Sequence, residues 1–318
     1  MVEDTNKISE NEVASKNVAA NEMHTEDVAT ISKKQLVGKI FAHIGLYVFL
    51  VIMAIVVLFP FYWMLMSSIK SIHEYDRPVP TMWPVEGYRF ETYKIAFEKV
   101  DFGNVFLSTC LVGIVSTILS LVVTVISAYA FAKFEFRGKN VLFAAMLATM
   151  MIPGELFTVT NYVTVVKSFG MTNTEFGTFF SLILPFLVSV FYIYLLRQNF
   201  MQIPNELYLA AKVDGTSDLK YLWKVMIPLA APTLISITIL KMMGAWNTYI
   251  WPNLVVESNS RWQLMTVALR NAEWGEAALV DYPSQMAAVV LVTIPLLIVF
   301  LLFRKYIIRG VSKGGLKG

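Results

Sequence analysis

The chain has 318 residues, 56% of them hydrophobic and only 15% charged, with a formal net charge of +3. A soluble domain carries about 25% charged residues, so this composition argues against a soluble enzyme and for a membrane protein with its apolar residues in blocks. The single cysteine, Cys110, lies in an apolar run and reads as packing, and no disulfide can form within the chain.

Residues 1–43 form a polar N-terminal tail. Its first 35 residues lack the short apolar core of a cleavable signal, and their low hydrophobicity predicts disorder. A helix needs about 20 apolar residues to cross the hydrocarbon core. The runs 44–69, 102–132, 176–196 and 282–303 meet that requirement. Two further spans are interrupted: 140–166 by Glu155 and 225–256 by Lys241. The expected fold is therefore an all-α integral membrane protein with six transmembrane helices. A loop at 70–101 separates the first helix from a core over 102–303, and a basic tail follows at 304–318.

Orientation follows the Lys/Arg bias of short flanks. The tail carries Arg304, Lys305, Arg309, Lys313 and Lys317 with no acid. Lys133, Arg137 and Lys139 follow span two, Lys33, Lys34 and Lys39 precede span one, and Arg197, Lys212, Lys220 and Lys224 follow span four. With six spans these segments share one side. Both termini and the loop after span four are thus expected in the cytoplasm, and 70–101 outside it.

The loop after span four carries the most information. Pro204 disfavours helix for the residue before it. Asn205 can then cap a helix, with Glu206 in its first turn. Leu207, Ala210, Ala211 and Asp214 follow at helical spacing, and Gly215 fits a left-handed stop. Thr216 or Ser217 can cap a second short helix with Leu219, Leu222, Trp223 and Met226 on one face. Such a pair is either an amphipathic surface anchor or a docking element, and the small residues Ala210, Ala211 and Gly215 suit close approach of another backbone.

The loop resembles the coupling motif of binding-protein-dependent ABC importer permeases: Glu-Ala-Ala, three residues, Gly, nine residues, Ile, one residue, Leu-Pro. Ala210, Ala211 and Gly215 match, and Ile227-Pro228 closes the pattern after a short offset, while Leu209 stands at the position of the leading Glu. The resemblance extends from about residue 59 to 318 and narrows to carbohydrate importer permeases similar to the shorter maltose permease subunit. It is carried by Pro60-Phe61-Tyr62-Trp63-Met64, Ala128-Tyr129-Ala130-Phe131-Ala132, Met151-Ile152-Pro153-Gly154-Glu155, Gly170-Met171-Thr172-Asn173-Thr174, Trp246-Asn247-Thr248-Tyr249-Ile250-Trp251-Pro252 and Arg304-Lys305-Tyr306.

The resemblance implies a type I permease subunit of the bacterial inner membrane. Its implied partners are a second homologous permease, two ATPase subunits, an extracellular solute-binding protein, a sugar substrate and membrane lipid. No nucleic acid is expected. It assigns ATPase coupling within 203–227 to Glu206, Leu209, Ala210, Ala211, Asp214 and Gly215. Leu209 should give that contact fewer charges, which Glu206 or Asp214 could offset. No phosphate-binding loop of the Gly-x-x-x-x-Gly-Lys-Ser/Thr type occurs. ATP and Mg are therefore expected on the partner ATPase, with no catalytic or metal site in this chain. His24, His43 and His73 are scattered.

Charges deep in a span are costly and need a partner or a wet path, which makes a Lys241–Glu155 pair one expectation. Trp246, Asn247 and Tyr249 combine aromatic faces with an amide, a mixture suited to a sugar path or, with Trp251, to an interfacial aromatic belt. Tyr192 is a further path candidate. An ion-gradient-driven secondary transporter is the alternative reading. It would predict internal repeats and more intramembrane acids, and it leaves the 203–227 loop unexplained.

Overall fold

The computed structural model describes residues 38–312 apart from Ala42, Ser258, Asn259, Ala277 and Ala278. Residues 1–37 of the tail expected over 1–43, and Lys313 and Lys317, lie outside the described residues. The chain divides into two compact units, 1–63 and 64–318.

The described part of the first unit is a single helix, α1 (Gly38–Ser68), whose last turn runs on into the second unit. Its apolar side chains, among them Ile44, Phe49, Ile52 and Leu58, are exposed.

The regular structure among the described residues of the second unit is helical apart from a short β-ladder, with irregular loops between the elements. Its elements in chain order are α2 (Ile72–Tyr75), α3 (Glu91–Lys99), α4 (Phe102–Lys133), α5 (Lys139–Thr149), α6 (Thr158–Tyr162), α7 (Glu175–Ile183), α8 (Val190–Met201), α9 (Asn205–Val213), α10 (Asp218–Tyr221), α11 (Ile227–Leu229), α12 (Ala231–Asn247), α13 (Ile250–Val255), α14 (Met265–Asn271), the antiparallel pair β1 (Gly275–Glu276) and β2 (Leu279–Val280), and α15 (Tyr282–Ser312).

Among the described residues, three helices are long and apolar enough to cross a membrane: α1, α4 and α15 up to Tyr306. Helix α4 has 32 residues, about 48 Å at 1.5 Å per residue. Its buried face repeats small residues at helical spacing: Ser108, Thr109, Gly113, Ser116, Thr117, Ser120, Thr124 and Ala128. Without a hydrophobic drive between helices in lipid, such residues gain contact by letting neighbours approach closely. The thioether of Met242 lies only 2.8 Å from where a Cβ at Gly113 would stand.

Three further segments pass the same test only as bent pairs: 139–149 with 154–168 (89°), 175–186 with 190–201 (55°), and 218–229 with 231–247 (80°). Proline explains each break, since it lacks an N–H and clashes with the preceding turn. Pro153 precedes the first bend, Pro185 lies in the turn before the second, and Pro228 and Pro232 flank the third. The run 176–196, expected as one continuous helix, is therefore two. Ser189 opens its second half, its side chain accepting from Tyr192 N at 3.5 Å.

Below these helices the core forms contiguous clusters. One joins Ala128 and Tyr129 of α4, Leu196 and Phe200 of α8, and Tyr221, Leu222 and Met226 after α9. A second joins Ala96, Val105, Met265, Ala268, Trp274 and Ala287. Polar bonds hold the 70–101 loop. The buried Glu74 accepts from the backbone N–H groups of Val85 and Glu86 and from Thr81 Oγ1 at 2.5 Å. These bonds outweigh the upward push of burial and leave the carboxyl below its usual range. Arg89 reaches Asp281 at 3.3 Å, tying this loop to the start of α15.

Candidate functional site

The loop 203–227 folds as two short helices around Gly215. Helix α9 starts at Asn205 with Pro204 in the capping position, so Asn205 is the first helical residue rather than the cap. Proline fits there because the first-turn N–H groups lack intrahelical partners anyway. At the other end Thr216 N donates to Ala211 O (2.9 Å) and Gly215 N to Lys212 O (3.1 Å). This bond pair is a Schellman motif and needs a left-handed residue, which Gly215 supplies at φ +68°. Of the two candidate caps for the second helix, Ser217 takes the role, accepting from Lys220 N at 3.4 Å.

The second helix does not present one apolar face. Leu222 and Met226 are buried, whereas Leu219 and Trp223 are 68% and 67% exposed. Residues 222–226 wind as a π turn in which Ile227 N–H reaches back to Leu222 O. The wider turn spreads the stripe, so only half of it meets the core. On the outside of α9, Glu206, Leu209, Ala210, Asp214 and Gly215 are exposed, and Ala211 is half-buried. Leu209, at the position of the motif's leading Glu, offers apolar surface at 56% exposure.

Asp218 fastens this exposed pair to the helical core. Its Oδ1 accepts from Tyr129 (3.1 Å) and Tyr208 (2.9 Å), and its Oδ2 from Lys212 (3.0 Å). The Lys212 bond is the chief reason its carboxyl lies below the ordinary aspartate range, with the two phenols adding to it against desolvation. Sequence reasoning missed Asp218. Its signal was an acid at the first position of a helix, beside a capping serine.

The second feature is a half-open cavity of about 380 Å³ bounded by α4, the break in 175–201, and the α12–α13 bend. Lys241 and Tyr192 line it, together with Ser116, Ser189, Thr248, Phe186 and Trp251. Lys241 Nζ donates to Phe186 O at 2.7 Å. That carbonyl lies at the broken end of the 175–186 segment, where no helical N–H continues the ladder. No ion pair joins Lys241 to Glu155, which is exposed in the turn Gly154–Phe157. The freed carbonyl supplies the partner that Glu155 was expected to provide.

Trp246 and Asn247 do not line the cavity. Trp246 is buried edge-on against Phe106 at 5.7 Å, and Asn247 donates to Met243 O on the exposed side of α12. Tyr249 is half-buried at the α12–α13 break. Trp251 is the tryptophan that faces the cavity, with its indole N–H on Ser181 O at 3.0 Å. The order of helix breaks selected it over Trp246, and spacing alone did not show that order.

Residues 120–313 match the family described as binding-protein-dependent transport system inner membrane component. The chain is 30% identical over 271 residues to a diacetylchitobiose uptake system permease protein of Streptomyces coelicolor, covering 83% of this chain and 86% of that protein. It is 31% identical over 208 residues to an arabinooligosaccharides transport system permease protein of Halalkalibacterium halodurans, covering 65% and 71%. Its fold matches a chain from the crystal structure of a bacterial ABC transporter involved in the import of the acidic polysaccharide alginate. That match has a TM-score of 0.72 and 26% identity, covering 84% of this chain and 96% of the other.

The all-helical fold with its long apolar helices and broken spans defines a permease of the ABC importer type. The chain belongs to the binding-protein-dependent transport system inner membrane component family. It is a transport subunit, and membership implies a partner permease, an ATPase and a binding protein.

Proposed function

We propose that this chain is one of two permease subunits of an ATP-driven importer of oligosaccharides, with six spans, both termini in the cytoplasm and 203–227 as the element that receives force from the ATPase. Three continuous apolar helices and three bent pairs support the span count. The sugar substrate is supported by relatives named for diacetylchitobiose and arabinooligosaccharide transport.

One observation carries the coupling role. The segment combines an exposed outer face, Leu209, Ala210, Gly215, Leu219 and Trp223, with a rigid inner attachment through Asp218 to Tyr129 of α4. An apolar surface of this kind marks a docking site, and the attachment gives a docked partner a mechanical grip on a spanning helix. ATP and Mg would then be held by the two ATPase subunits, and the binding protein would deliver sugar at the opposite face.

The test is reconstitution of the permease pair with its ATPase and binding protein in proteoliposomes. ATP-dependent uptake of a labelled oligosaccharide is expected. Charging the docking face with Leu209→Lys and Trp223→Asp together should release the ATPase from the membrane without lowering permease level. An ATPase that stays bound to that variant would refute the assignment.

A further inference from the structure

Among the described residues, Lys241 is the one charged residue lining the cavity, and the lining contains no carboxylate. The residue is half-buried, and its ammonium reaches the solvent-exposed side of a half-open cavity, where it has room for a further partner. Here Phe186 O takes one of its hydrogens. Three are available on a lysine, so a single carbonyl dipole leaves the charge uncompensated.

The rest of the lining is mainly apolar and carries a few polar groups. Ser116 and Thr248 offer hydroxyl groups and Tyr192 a phenol, while the buried ring of Trp251 forms part of the wall. Helix α8 begins at this wall, with Val188 and Ser189 in the lining, so its positive dipole end reinforces Lys241. At about 380 Å³ the space falls at the small end of ligand pockets, roughly 300–1,000 Å³. It accommodates the end of a chain rather than a long oligosaccharide.

We propose that this cavity is a subsite for an acidic sugar, in which Lys241 pairs with the carboxylate of a uronic acid residue while the Ser116 and Thr248 hydroxyl groups and the Tyr192 phenol hold its ring. A carboxylate fits better than a phosphate. One ammonium and one helix end match a single negative charge, whereas a phosphate ester carries nearly two and calls for forked guanidinium donors. The inference rests on the reading of the chain as a sugar importer subunit and adds the charge of its cargo.

The test uses the assembled permease–ATPase complex in nanodiscs, titrated with labelled digalacturonate, its neutral counterpart galactobiose, and galactose 6-phosphate. Digalacturonate is expected to bind at least tenfold more tightly than either. Lys241→Met should erase that preference, lowering digalacturonate binding by at least tenfold more than galactobiose binding, while Lys241→Arg should keep it within about threefold. Galactobiose binding as tightly as digalacturonate, galactose 6-phosphate binding more tightly, or Lys241→Met retaining the preference would overturn the proposal. Equal loss of all three sugars in both variants would also overturn it, since that marks Lys241 as a structural tie to Phe186. ATP-driven uptake of a neutral oligosaccharide by the same complex separates the two readings. Uptake without any acidic preference leaves the importer standing and removes only the charge selectivity, and absence of uptake for every saccharide removes both.

Discussion

Tyr129 and Asp218, 89 positions apart in the chain, share a hydrogen bond of 3.1 Å between phenol and carboxylate. It joins the last turns of α4 to the first residue of α10, and Tyr208 and Lys212 of α9 converge on the same carboxylate. One acid thus ties both short helices to a spanning helix. Asp218→Ala should loosen that grip. Hydrogen bonds to a charged group contribute about 1.5–3 kcal/mol each, but the partly exposed setting reduces the net loss to about 1 kcal/mol. We expect transport per ATP hydrolysed to fall about fivefold with permease level unchanged. Tyr129→Phe should show a smaller loss in the same direction. An unchanged ratio in both variants would remove Asp218 from the coupling path.

The same carboxylate sets a pH dependence. Its pKa is lowered in the folded chain, first by the Lys212 bond. A lowered pKa contributes stability that is present above the unfolded value and is lost as pH falls through the folded one. Hydrogen-exchange protection of residues 205–221 should therefore stay flat from about pH 8 to 5 and decline only below about pH 4, near the unperturbed aspartate value. In Asp218→Asn the decline should disappear.

Gly215 tests the joint between the two helices. Its φ of +68° disfavours other residues, yet no atom lies within 4 Å of where a Cβ would stand. A β-branched side chain there costs about 1–2 kcal/mol of backbone strain without a steric clash. Gly215→Val should accordingly reach the membrane at normal level, with ATP hydrolysis persisting and uptake reduced. Gly215→Asn, which tolerates the left-handed region, should be milder.

Gly177 behaves differently. A Cβ there would stand 1.9 Å from the backbone oxygen of Met171, which cannot turn aside. Gly177→Ala should lower folded yield and the thermal midpoint in detergent. Gly113→Ala meets only the tip of the Met242 side chain, which can rotate, so its midpoint should move far less.

Asp281 joins two tasks. It pairs with Arg89 at 3.3 Å and accepts from Ser284 N at 3.0 Å at the start of α15. Losing a helix cap costs about 0.5–2 kcal/mol, and a partly exposed ion pair at most about 1 kcal/mol. Asp281→Ala should thus destabilise more than Arg89→Ala. In a double-mutant cycle read by thermal unfolding, the two effects should not add.

The helical class, the Gly215 stop and two of the three interrupted segments were readable, because glycine and apolar periodicity act locally and Glu155 and Lys241 interrupt the apolar runs. Pro185 was equally visible inside 176–196, and its weight as a helix breaker was masked by the strength of the surrounding apolar run. The partner of Lys241 was not readable. It is a backbone carbonyl, which has no sequence signature, and it becomes free only because the helix breaks after Phe186. Trp246 and Trp251 illustrate the same limit. Both lie in one aromatic stretch, and the break at Thr248 decides that the second faces the cavity.

The π turn at 222–226 carries a consequence for how relatives differ. It takes up one residue more than a regular turn within nearly the same rotation, so the residues before and after it stay close to in phase. Removing a single residue there would restore regular winding and leave Leu219 aimed as it is, whereas one residue inserted without such a wide turn would swing everything before it by about 100° relative to α12. The wide turn is therefore a length buffer: the chain between Gly215 and Pro228 can lose one residue while the surface ahead of it keeps its bearing.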